Sequence, residues 1–355
     1  MNELQMIADL SNAFGPSGFE DDVLSVARQY TPRNTFVEED SLRNLYIHRK
    51  ANTGSKPVIQ LDAHSDEVGF MVQAIRPNGT LKFLPLGGWV NSNIPAHKVK
   101  VRSSDGSLIS GVTAAKPPHF MSEEERKRMP VMEEMSIDVG ASSPEEARQA
   151  YGIRIAAPAA PDVTFEYDEK HDIMIGKAFD NRLGCAALLA TLAALGDEPL
   201  GVDVVGAIAS QEEMACRGAV VTARHVQPRI AIVFEGSPAD DTVTEPWLSQ
   251  TAIHKGPMLR HIDARMITNP RFQRFALDLA EELGIPVQEA VRSGGATNGA
   301  PIHLSGLGVP CIVIGIPVRY IHSHYGIASL SDFRGGVQLA VEIIRRMKED
   351  TIQSF

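Results

Sequence analysis

The sequence predicts an α/β fold, a mixed and mainly parallel sheet flanked by helices, interrupted by a small inserted β-barrel domain. Three observations carry this expectation. Several apolar runs are nearly continuous rather than alternating, as strands buried on both faces require, and they end abruptly in polar residues: Val202 to Ala209 before Gln211-Glu212-Glu213, Val58 to Leu61 before Asp62-Ala63-His64, Ile230 to Phe234 before Glu235, and Cys311 to Ile316 before His322. Between Phe70 and Val112 the pattern changes to short alternating runs punctuated by Pro77-Asn78-Gly79, Gly87-Gly88 and Ser104-Asp105-Gly106, as in a small barrel or sandwich. Past Asp172 helix and strand patterns alternate again, so the β-rich part interrupts one fold rather than following it. The expected division is 1–69 with 166–355 for the α/β domain and 70–165 for the insert.

Taken in order, Leu4, Ile7 and Leu10 mark a first helix, broken by Gly15-Pro16-Ser17-Gly18 before a second around Glu20 to Tyr30. Asn34 to Arg49 alternates like a hairpin, and Val58 to Leu61 is the first central strand. Ser122 to Met129, with both signs of charge, reads as an exposed loop. Ser143-Pro144-Glu145-Glu146 reads as a capping box with proline at the first helical position, opening a helix that Gly152 closes. Leu183 to Leu195 is an apolar helix. Asn269 caps and Pro270 opens another that Gly284 ends, and an amphipathic helix through Val341, Ile344 and Met347 closes the chain.

With 43% apolar and 22% charged residues the chain has the composition of a globular protein, and a net charge of −10 with no long basic block excludes a nucleic-acid or anionic-membrane surface as its main partner. Met1 to Leu10 carries acids and no basic segment, and no run approaches about 18 apolar residues, so neither a signal peptide nor a membrane span is expected and the cytoplasm is the expected compartment. Three cysteines in apolar or small-residue surroundings suit reduced, buried thiols.

In open parallel sheets ligands gather outside the carboxyl ends of the strands. His64, Glu212, Glu213, Glu235 and His322 all lie at or beyond such ends, and Asp180 directly precedes the Leu183 helix. Two imidazoles and several carboxylates without a thiolate suit a divalent ion such as Zn, Co or Mn. Each residue alone has a plainer reading: a structural histidine, a solvated strand-end acid, or a helix cap at Asp180, while His324 competes with His322 as ligand. Among 44 acidic residues an adjacent pair means little, so the weight rests on the whole set.

Four motifs in order, Ala63 to Gly69, Lys177 to Cys185, Gln211-Glu212-Glu213 through Ala219, and Arg319 to Ser323, resemble family forty-two of the metallopeptidases, the cocatalytic aminopeptidases that include glutamyl and deblocking enzymes and the tetrahedral (TET) particles. The similarity also takes in Gly15 to Glu20, Lys116 to His119, Asp138 to Ala141 and Lys255 to Pro257. The resemblance implies a zinc aminopeptidase-like fold and two divalent metals per subunit (Zn or Co, with Mn as a third option), with Asp180 bridging them. His64 and Glu235 would complete one shell, Glu213 and His322 the other; Glu212 would be the general base and Asp66 would orient His64. It further implies peptide substrates cut at the amino terminus and a homo-oligomer whose dimers, joined through the insert, build a dodecamer. Glu235 where many relatives have Asp, Asn298 in Ser293 to Gly299, and Gly326 after His322 to Tyr325 depart from the family pattern and bear on specificity. A related dimetal carboxypeptidase or deacylase, a glycoside hydrolase and a non-catalytic assembly protein are the competing readings; the glycosidase leaves the strand-end histidines unexplained.

Overall fold

The computed structural model describes residues 2–355. Its main sheet is built around four parallel strands in the order Asp203–Ala209, Val58–His64, Ile230–Pro238, Cys311–Arg319. Asp203–Ala209 is buried at every position, which explains why the run does not alternate: helices cover both faces. One face carries Glu3–Asn12, Phe179–Leu195, Pro270–Leu283 and Leu330–Arg346; the other carries Arg217–Val226 and Gly299–His303. Antiparallel strands extend the sheet at both edges, the hairpin Thr35–Glu39 with Leu45–Arg49 on one side, and Gly326–Ala328, Ile173–Gly176 and Glu166–Asp168 on the other. Met258–Ile262 pairs antiparallel with Cys311–Arg319 and carries Gln288–Val291 beside it in parallel.

A closed six-stranded antiparallel barrel stands apart from this sheet, in the order Gly69–Ile75, Leu81–Leu86, Ser136–Asp138, Leu108–Ala114, Lys98–Arg102, Pro158–Pro161. Its sequence alternation becomes its geometry: in Lys98–Arg102 Val99 and Val101 are fully buried while the three basic residues face outward. They join Phe70, Val72, Leu81 and Ile137 in a core separate from that of the main sheet.

Local signals translate with two differences. Asn269 caps Pro270–Leu283 by accepting from the amides of Arg271 and Phe272, and Gly284 closes that helix with φ 64°. Ser143 accepts from Glu146 N at the start of Pro144–Gln149, but the Glu146 carboxylate turns to Ser142 instead of completing the reciprocal bond. The complete capping box lies in the segment expected to be a loop: Ser122 and Glu125 cap each other's backbone and Glu123–Lys127 is a short helix.

Candidate metal centre

Strand register brings the site together. Ala209 pairs with His64, and Val233 pairs with Asp62, so that two residues further on Glu235 lies level with His64. Beyond Ala209 the chain turns sharply through Gln211 to Cys216, and beyond Arg319 it turns again through Tyr320 to His322. Six non-glycine residues within these turns and before Asp180 have positive φ: Ala178, Gln211, Ala215, Cys216, Tyr320 and His322. Each left-handed residue costs roughly 1–2 kcal/mol, and such costs concentrate where a site must be aimed.

Six acidic and imidazole side chains converge there. Asp180 sends its two oxygens in different directions, Oδ1 to His64 Nε2 at 3.1 Å and Oδ2 to His322 Nε2 at 3.4 Å. Glu235 Oε1 is 3.4 Å from His64 Nε2, and Glu213 Oε2 is 3.5 Å from His322 Nε2. The groups His64–Asp180–Glu235 and Asp180–Glu213–His322 each bring three donor atoms within 4.8 Å of one another. Glu212 Oε2 lies 3.8 Å from His64 Nε2, beside both groups. These donors can hold metal ions, and their chemistry asks for them. Burial drives the carboxyls of Glu213 and Glu235 well up, and raises that of Glu212, with Asp180 adding to the repulsion. Burial opposes charge on the imidazoles, but the carboxylates around them together outweigh it, Asp180, Asp66 and Glu235 lifting His64 well above its usual value and Asp180 with Glu213 lifting His322 to about 10. Four buried carboxylates around two imidazoles leave an excess of negative charge that bound dications neutralise.

Both imidazoles are oriented through Nδ1, leaving Nε2 for the cluster. His322 Nδ1 donates to the Gly88 carbonyl at 2.8 Å, and His64 Nδ1 lies 3.1 Å from the Asp66 carbonyl and 3.3 Å from its carboxylate. The Asp66 carboxylate has more to hold than His64: it accepts from Ser17 Oγ at 2.6 Å, Glu212 N at 2.8 Å and Glu213 N at 3.1 Å. It therefore fixes the backbone that carries the central acid pair.

Several supporting residues lie in or beside the sequence motifs, but the sequence assigned them no individual role. Asn181 donates to the Phe234 carbonyl at 2.8 Å and accepts from Gly184 N and Gly236 N, tying the start of the Phe179 helix to the Glu235 strand. Glu67, 1% exposed, takes Lys177 Nζ at 2.6 Å and Arg182 at 3.1 Å beneath the His64 loop. The Cys216 thiol donates to Glu212 Oε1 at 3.1 Å. From the barrel side, a Cβ on Gly87, whose φ is +80°, would meet Val68 at 2.7 Å and Glu213 at 3.0 Å, so only glycine lets this turn reach the centre. Gly236 is constrained likewise, a Cβ meeting the Phe179 carbonyl at 2.5 Å and Asp180 Cα at 2.7 Å.

His324 stays away from the cluster. It is 1% exposed, stacked on His97 at 4.1 Å and tilted against Trp89 at 5.1 Å, with neither ring nitrogen hydrogen-bonded. Asn298 is fully buried and donates to Asp62 at 2.7 Å, behind the His64 strand, and Gly326 packs against Phe179. Asp180 does not cap the helix that runs to Leu195; the backbone is non-helical at Asp180 and Asn181, and the neighbouring Asn181 caps it by accepting from Gly184 N. A cleft of about 730 Å³ opens from Asp180, Glu212, Glu213, Glu235 and His322 toward Asp240, Arg260, Arg265 and Arg292. No helix among the described residues is long and apolar enough to cross a membrane.

The family model for M42 glutamyl aminopeptidase matches residues 44–339. The glutamyl aminopeptidase of Lactococcus lactis is 30% identical over 335 residues, 94% of this chain and 93% of its own. The crystal structure of a TET aminopeptidase from a marine-sediment Thaumarchaeota archaeon superposes with a TM-score of 0.95 at 35% identity, covering 100% of this chain and 99% of that one. At 24% identity the Pyrococcus horikoshii TET1 peptidase, described as assembling into a tetrahedron or a large octahedral shell, shares the fold with a TM-score of 0.87 over 98% of this chain and 100% of that one. With a family match across most of its length and a relative at 30% identity aligned over nearly all of it, this chain belongs to the M42 glutamyl aminopeptidase family.

Proposed function

We propose that the chain is a metal-dependent aminopeptidase that removes residues from the amino termini of peptides and carries two divalent ions per subunit, Zn, Co or Mn. The observation that carries this reading is the split of Asp180 between two trios, His64 with Glu235 and His322 with Glu213, at the head of one cleft. Bound there, divalent cations supply the Lewis acidity that polarises a peptide carbonyl and makes water a usable nucleophile at neutral pH. The chain's own work centres on Glu212. Its carboxyl is raised by burial, which suits it to take a proton from the attacking water and return it to the departing amine. Asp66, through the Glu212 and Glu213 amides, holds that base in place, and the surrounding carboxylates attract the substrate's free α-ammonium. Two imidazoles trained on one carboxylate serve no step of glycoside hydrolysis, which needs only a pair of acids.

The assembly reading rests on the insert, proposed as residues 70–165. Leu84, Val90, Val112, Phe120 and Met129 are large apolar side chains 43–73% exposed on it, which suits contact with other copies; we take dimers that build a dodecamer as the working assembly and the cytoplasm as its compartment. The test of the chemistry is chelation followed by reconstitution, assayed on peptides with free and with blocked amino termini. Activity that vanishes with the metal, returns with Zn, Co or Mn, and is confined to free amino termini is the expected result. Full turnover in metal-free protein, or equal cleavage of blocked peptides, refutes it.

A further inference from the structure

A second convergence of metal-binding side chains lies outside the cleft, at the hairpin edge of the main sheet. Thr35–Glu39 and Leu45–Arg49 pair so that Phe36 faces His48 and Glu38 faces Tyr46, placing all four on one side of the hairpin. The last turn of Arg217–Val226 reaches the same side with His225. The Nε2 atoms of His48 and His225 both close on one oxygen, Glu38 Oε1, at 2.9 Å and 2.7 Å, and the three donor atoms lie within 4.8 Å of one another. Each ring is backed by an aromatic neighbour: His48 stacks on Phe36 at 4.7 Å with the planes 7° apart, and His225 leans on Tyr46 at 4.2 Å.

We propose that Glu38, His48 and His225 form a further divalent-cation site, separate from the catalytic pair and suited to zinc or another borderline ion. Two imidazole nitrogens and one carboxylate oxygen are a familiar zinc donor set, with the remaining coordination position left to water. Ligand atoms around a tetrahedral ion at about 2.0–2.1 Å stand about 3.3 Å apart; both imidazole nitrogens already lie closer than that to Glu38 Oε1, and the two nitrogens, within 4.8 Å of each other, are at most about 1.5 Å too far apart. The three residues come from two strands and a helix up to 187 positions apart, and the stacked rings already point at one spot, so little conformational freedom is lost on binding. Glu38 and His225 are each 46% exposed and His48 19%, which leaves the site an entry path from solvent. A bound ion ties the edge hairpin to the last turn of the helix that follows the Glu212–Glu213 turn.

Zinc is the probe. Full-length protein is loaded at the catalytic centre, equilibrated in a zinc buffer and counted for bound metal beside His225→Gln and His48→Gln. Wild type is expected to hold one more zinc per chain than either variant, with peptidase turnover equal in all three. Equal zinc counts overturn the proposal. A second measurement needs no substitution: one equivalent of copper(II) added to protein carrying metal at the catalytic centre alone should give an electron spin resonance pattern of two equivalent imidazole nitrogens, which neither catalytic trio supplies because each contains one histidine. A pattern from a single nitrogen, or none, overturns it as well.

Discussion

Replacing Asp66 with asparagine tests how the acid pair is held. The side chain is fully buried, and although burial works against its charge, hydrogen bonding from His64, Ser17 and the Glu212 amide keeps its carboxyl below the usual range, so it acts as an anion. Oδ1 serves Glu212 N and His64 Nδ1, while Oδ2 serves Ser17 Oγ and Glu213 N. An amide keeps one acceptor and turns two hydrogens toward donors, whichever way it is placed. With the oxygen at the Oδ2 position the Glu212 amide loses its acceptor and His64 Nδ1 keeps only the Asp66 carbonyl; with it at Oδ1, Ser17 and Glu213 lose theirs. Hydrogen bonds to a charged group contribute about 1.5–3 kcal/mol each, so the loss of one or two amounts to about 2–5 kcal/mol, a large fraction of the roughly 5–15 kcal/mol that holds a domain together. The same change releases the backbone at Glu212, and misplacement of a reacting group by about 1 Å can cost on the order of 10²-fold in rate. Urea unfolding and kcat/KM, measured together, should both fall by these amounts. Asp66→Asn with stability within about 0.5 kcal/mol of wild type and unchanged kcat/KM would show that the carboxylate does not organise this turn.

Three further expectations follow from the same geometry. Glu212→Gln should keep its metal and lose on the order of 10²–10⁴ in kcat, whereas Glu213→Gln should lose one ion; metal counts and turnover for both variants decide the assignment, and the reverse pattern swaps the roles. His324 is held neutral by burial with His97 beside it, its pKa pushed down to about 3, so between that value and its unfolded value near 6.5 the unfolded chain binds the extra proton and stability falls as pH falls; from pH 7 to 5 this contributes about 2 kcal/mol of loss, which His324→Phe should remove from the pH dependence of the urea midpoint. Sedimentation should find assemblies larger than a monomer at working concentration, and a monomer throughout would contradict the role given to the insert.

What the sequence by itself determined follows from short-range physics. A strand buried on both faces must be apolar throughout, so Asp203–Ala209 and Cys311–Arg319 announce themselves; a barrel strand such as Lys98–Arg102 must alternate, and it does. Caps at Asn269 and Ser143 act over three residues and are legible for the same reason, and the helix at Glu123–Lys127 was equally legible from Ser122 and Glu125, where the charge run masked it. Short strands such as Gly326–Ala328 carry too few residues for a period and exist because neighbours on both sides, Cys311–Arg319 and Ile173–Gly176, offer them a ladder. Around the centre, residue type and strand-end position singled out His64, Glu212, Glu213, Glu235 and His322, but not which imidazole enters the cleft. That choice belongs to tertiary structure: positive φ at Tyr320 and His322 swings one ring toward Asp180, and the space between Trp89 and His97 takes the other. Gly88, Ser17 and Asn181 support the site through a carbonyl, a hydroxyl and an amide brought from elements far apart in the chain, and Glu38 meets His225 across 187 residues. Such contacts depend on strand register and on the packing of helices against the sheet, which no local pattern of residues encodes.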